Sequence, residues 1–149
     1  MTLLKKFEEF VQSGVVKTQS PDPERARSLL KEAEEQEVFF RKVVESLSFE
    51  HVLPNFVIGT CYDVMMETIR ARMYVDGVKS KDSHEAEVAY LRNLGFSEQD
   101  VLFMNDVRYF RNGIKYYGKI LDKEYAKKVK SFFDKMYPLL SKKAKENLH

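Results

Sequence analysis

Apolar residues recur at spacings of three and four through most of this chain, and that recurrence leaves few folds open. The clearest run is Phe103, Val107, Phe110, Ile114, Tyr117 and Leu121, one stripe of a long amphipathic helix. The same period marks residues 22–47 through Ala26, Leu29, Leu30, Ala33, Phe40, Val43, Val44 and Leu47. Ile58, Tyr62, Met65, Ile69 and Met73 predict a third helix from about Pro54 to Val75. Tyr125, Val129, Phe132, Phe133, Met136, Leu139 and Leu140 predict a last one over about 123–146, kinked or ended by Pro138. A first helix is expected over residues 2–17, weakened at Gly14, and a short one from Ser83 to about Leu94. The alternating pattern of strands is not seen, and six Gly and four Pro leave few tight turns for them. The expected fold is all-α, an up-and-down antiparallel bundle of four long helices plus short ones, with short connections making neighbours antiparallel.

Helix boundaries carry their own chemistry. Asp22 with Pro23 behind it is a capped start. Gly77 suits a helix end. Ser97 with Asp100 approximates a capping box, and Asp122 caps the final helix. At 149 residues the chain suits a single domain over 1–149. No apolar run reaches 18 residues, so no membrane span is expected. A single Cys61 excludes an internal disulfide, and its apolar surroundings suggest an inert buried thiol. Lys5, Lys6, Glu8 and Glu9 stand where a signal peptide would be apolar, so a cytoplasmic protein is expected.

Net charge is +2, too balanced for a general polyanion binder. The charge is uneven along the chain: residues 22–50 hold eight acids against five Lys/Arg, and residues 119–146 hold nine lysines against four acids. The lysines fall opposite the apolar stripe and read as a solvated face rather than an RNA-tracking patch. Glu37 interrupts the second helix's stripe and is expected to reach water or Arg41 one turn on.

The functional signal sits beside the stripe of the 97–121 helix. Arg108, Arg111 and Lys115 stack on neighbouring turns, where like charges repel. Arg111 lies at the stripe's edge, in a seam where its planar fork calls for carboxylate, phosphate or nucleic-acid backbone. Asp106 reads as one half of a structural salt bridge. Glycines at 113 and 118 each cost about 1 kcal/mol inside a helix relative to Ala. Close helix approach would offset that, although Gly118 equally fits a loosened helix end. His51 and His84, at a loop and a helix start, have no metal-ligand spacing to each other or to Cys61. His84 would change the chemistry if it folded towards Arg111.

Asp106, Arg108, Arg111-Asn112 and Tyr116, ending a helical bundle, resemble the HEPN superfamily of prokaryotic and archaeal helical proteins. Pro21-Asp22-Pro23-Glu24, Tyr62-Asp63, Gly77 and Ser83-His84-Glu85 extend the likeness in order over residues 20–140. The resemblance implies a homodimer joined through the motif helix, with Arg108, Arg111, Asn112, Lys115 and Tyr116 lining a nucleotide or RNA groove. Asp106, Tyr117 and His84 would support it. It also implies partnership with a minimal nucleotidyltransferase in a toxin–antitoxin-like pair, with no cofactor. Ribonuclease members carry Arg, four to six residues, then His; here Tyr116, Tyr117 and Gly118, after Lys115, stand where that histidine is due. Without the proton-transfer group a loss of about 10²–10⁴ in rate is expected. Neither Lys115 nor the tyrosines supply a base at neutral pH unless shifted. A binding module is therefore expected, with a metal-independent ribonuclease of altered motif as the alternative. A third reading is an adaptor whose basic rows only set dimer contacts.

Overall fold

The computed structural model describes residues 3–118 and 121–148, except the side chains of Lys115, Tyr116 and Tyr117. Six α-helices dominate: α1 (Phe7–Gln12), α2 (Pro23–Leu47), α3 (Pro54–Asp76), α4 (His84–Asn93), α5 (Glu98–Tyr117) and α6 (Lys123–Lys145). The all-α bundle with four long helices is therefore the fold. The centre is α3. It is apolar around most of its circumference, with Ile58, Val64, Met65 and Ile69 fully buried, as suits a helix covered on all sides. It packs along α2 and α6 and is flanked by α4 and α5. From α6, Val129, Phe133, Met136 and Leu140 close the core.

The helix starts obey the local chemistry. Asp22 accepts from the Arg25 N–H, Ser83 from Ala86, Ser97 from Asp100 and Asp122 from Tyr125. Each satisfies an N–H that has no partner within its own helix. Glu37 pairs with Arg41 one turn on. Cys61 is buried, and burial pushes its thiol pKa far up.

Four expectations are corrected. The first helix covers only Phe7–Gln12, because Gly14 turns the backbone at φ +79°. Helix α5 ends at Tyr117, not 121: Gly118 caps it in the left-handed conformation, φ +64°. Gly118 is thus a helix end. Pro138 does not end α6, which runs on to Lys145. Finally, the chain does form strands. Val16–Thr18 (β1) and Val78–Ser80 (β2) pair antiparallel, with Val16 opposite Ser80 and Thr18 opposite Val78. Three-residue strands are too short to show a period.

This small ladder positions the site. Gly77 turns the chain out of α3 at φ +75°, and a Cβ there would lie 2.5 Å from the Gln19 carbonyl. The Gln19 N–H donates to the Gly77 carbonyl at 2.8 Å, and Lys81 donates to Val15 at 3.0 Å. The chain then turns through Asp82, φ +60°, a conformation Asp tolerates better than most residues. The start of α4, and with it His84, is held by these contacts.

Candidate functional site

A cleft of about 310 Å³ opens where α3, α4 and α5 meet, at the lower end of the usual range for small-molecule sites. From α5 it receives Arg108, Arg111 and Asn112; from α3, Tyr62 and Asp63; from the turn into α4, Asp82, Ser83, His84 and Glu85. The spacing of 108, 111 and 112 puts all three on one face of α5, as their periodicity requires.

Arg111 is the centre of this arrangement. Its side chain is 23% exposed and donates from an η nitrogen to Asp63 at 3.0 Å. The guanidinium packs against α3 where there is no side chain: a Cβ on Gly59 would fall 3.3 Å from Nε and 3.4 Å from Cζ. Its Nε–H is buried and has no hydrogen-bond acceptor among the described residues. An unsatisfied buried donor costs about 1–3 kcal/mol, more when charged. Arg108 is also mostly buried; its Nε donates to Asn105 at 2.9 Å, and an η nitrogen lies 3.8 Å from Glu85.

The histidine enters from another helix. Nδ1 of His84 and the Tyr62 hydroxyl share a hydrogen bond of 3.1 Å. Burial pushes the Tyr62 phenol well above its ordinary pKa, with Arg108 opposing. The hydroxyl therefore stays protonated and can donate to Nδ1. An imidazole and two guanidiniums thus line one cleft, although they are far apart in the chain.

Of the residues singled out in the sequence, Arg108, Arg111, Asn112 and His84 come together. The side chains of Lys115, Tyr116 and Tyr117 lie outside the described residues. No ion pair to Asp106 occurs among the described residues; its charge instead helps raise the pKa of Tyr125, after burial. Gly113 is buried within the protomer. Of the planar anions that the Arg111 fork called for, the chain itself supplies a carboxylate: Arg111 faces Asp63, and Arg108 faces Glu85. Both carboxylates are half exposed, so solvent screens them and a ligand can displace them.

Sequence reasoning missed Gly59, Asp63, Asp82, Ser83 and Glu85 as parts of one site. Gly59 was the available signal: a glycine within an apolar helical run carries a cost that needs a reason. His51 stays apart, bonded to Ser48 and the Leu47 carbonyl. Among the described residues no group of three His, Cys, Asp or Glu side chains could hold a metal ion, and no helix is long and apolar enough to cross a membrane. No family model matches the chain, and no curated protein is significantly similar to it.

Proposed function

We propose that this chain is a HEPN-like binding module that takes a phosphate-bearing ligand, a nucleotide or an RNA linkage, in the cleft between α3, α4 and α5. The observation that carries this reading is the buried Arg111 Nε–H, without an acceptor among the described residues, beside an η nitrogen whose present partner is half exposed. A phosphate oxygen at Nε would satisfy that donor through a charge-assisted bond. Charge balance limits the ligand. Arg108 and Arg111 face Asp63, Asp82 and Glu85 across the cleft, which disfavours a polyphosphate or a duplex and suits a single phosphate or phosphodiester. In the cytoplasm, such a module would act as a homodimer through α5, with a minimal nucleotidyltransferase as partner in a toxin–antitoxin-like pair.

The test is calorimetric titration of the protein with ribose 5-phosphate, beside Arg111→Ala. Saturable binding that the variant loses supports the reading; equal binding by both proteins, or none by either, rejects it.

A second reading, a ribonuclease of altered motif, is favoured by one observation: His84 lines the cleft of Arg111, with Nδ1 held by Tyr62 at 3.1 Å. A histidine from α4 would then stand in for the one missing after Arg111, moving the proton while Arg111 carries the phosphate charge. Incubation with mixed RNA separates the two readings. Cleavage abolished by both His84→Ala and Arg111→Ala makes the protein an enzyme; intact RNA leaves it a binding module.

A further inference from the structure

The Arg111 cleft does not end at His84. A second pocket, about 380 Å³, adjoins it, and His84 and Asp82 line both. Its apolar lining is Met73, Tyr74 and Val78; its polar lining includes Ser80 and Glu87. Glu87 follows His84 by three residues on α4, so the two project from the same face of that helix.

Glu87 is the unusual residue here. It is 2% exposed, a rare condition for a carboxylate. One oxygen, Oε2, accepts from Arg70 Nε and from the Ser80 hydroxyl, both at 2.9 Å. The other, Oε1, is buried with no donor among the described residues. A carboxylate oxygen in that state calls for an N–H or O–H donor. Nearby, the guanidinium of Arg25 lies 5.0 Å over the Tyr74 ring. A guanidinium seated on an aromatic ring offers a flat surface of the kind on which bases stack.

We infer that the second pocket is a nucleobase subsite, and that one nucleotide spans His84 with its phosphate at Arg111 and its base donating an N–H to Glu87. This rests on the phosphate-binding reading of the first cleft. The apolar lining suits the base's ring atoms, Arg25 its face, and Glu87 its donor edge. Guanine suits the site, because either of its adjacent donors, N1–H or N2–H, can reach Oε1 while Oε2 keeps its bonds to Arg70 and Ser80. The two pockets together place Arg25, Arg70, Lys79, Arg108 and Arg111 against Asp63, Asp82, Glu85 and Glu87. That small cationic excess matches a monophosphate.

The experiment compares GMP with ribose 5-phosphate by calorimetric titration of the full chain. GMP is expected to bind about tenfold tighter or more, the worth of one charge-assisted hydrogen bond. Glu87→Gln should erase that preference and leave ribose 5-phosphate binding intact. Because Glu87 also anchors Arg70, the exposed Arg25→Ala serves as a variant that leaves the core untouched; it should weaken GMP several-fold and ribose 5-phosphate not at all. Equal affinities of wild-type protein for GMP and ribose 5-phosphate would overturn the base subsite and leave the phosphate cleft standing. So would a preference for GMP unchanged in both variants. Absence of binding by either ligand would overturn both.

Discussion

Replacing Gly59 with alanine separates fold from function at a single atom. Gly59 lies within α3, where alanine gains about 1 kcal/mol of helix propensity. For a chain of this size that is worth roughly 2–4 °C in Tm. The added Cβ would sit 3.3 Å from Arg111 Nε and 3.4 Å from Cζ, close enough that the guanidinium must give way by a few tenths of an ångström. The displaced group is the far end of a flexible side chain, so the core need not move. Asp63 holds the same guanidinium at 3.0 Å, so the shift falls on the Nε–H that the ligand is proposed to use. Losing that one charge-assisted bond costs about 1.5–3 kcal/mol, or tenfold and more in Kd. Gly59→Ala should therefore melt at or above the wild-type temperature in circular dichroism, yet bind ribose 5-phosphate at least tenfold more weakly in calorimetry. Unchanged affinity would refute the role given to the Arg111 seat. A Tm lowered by more than about 4 °C would show Arg111 to be a rigid part of the core rather than a ligand-facing group.

Other outcomes follow from the same contacts. Gly77→Ala should lower Tm by several degrees in a thermal melt, because φ +75° costs a side chain about 1–2 kcal/mol and its Cβ would meet the Gln19 carbonyl at 2.5 Å. Tyr62→Phe should keep the fold but shift the His84 ring resonances in an NMR spectrum, since it removes the 3.1 Å bond to Nδ1; an unchanged ring signal would count against that bond. Glu67 makes stability pH-dependent. Burial first, then a hydrogen bond with Glu32, raises its pKa from 4.5 to about 7. The folded state then holds a proton that the unfolded chain releases. That stability is fully present below about pH 4.5 and is lost as the pH rises through about 7. Urea midpoints measured from pH 4.5 to 8 should fall across that window, and Glu67→Gln should flatten the fall.

The four long helices were legible because each buries a stripe or a full surface of the right period, and period survives in sequence. The ladder of β1 and β2 was not, since three residues per strand carry no alternation and the pairing joins Val16 to Ser80 across the chain. A third of the cleft was legible for the same reason as the helices: Arg108, Arg111 and Asn112 share one face of one helix. The rest depends on tertiary placement. Arg111 meets Asp63 across 48 positions, and Tyr62 meets His84 across 22. Nothing local to Ser83-His84-Glu85 says that the turn after β2 aims them at α5. The orphaned atoms of the two pockets, Arg111 Nε and Glu87 Oε1, become visible only once burial is known.

The most direct measurement is the side-chain Nε–Hε resonance of Arg111 in a ¹⁵N-labelled sample, assigned with Arg111→Lys and followed during titration with GMP. A new acceptor at a buried, unpartnered N–H should shift that resonance saturably and slow its exchange with water, with the same midpoint as calorimetry. If GMP binds while the Arg111 resonance stays where it was, the phosphate lies elsewhere and the proposed cleft is not the site.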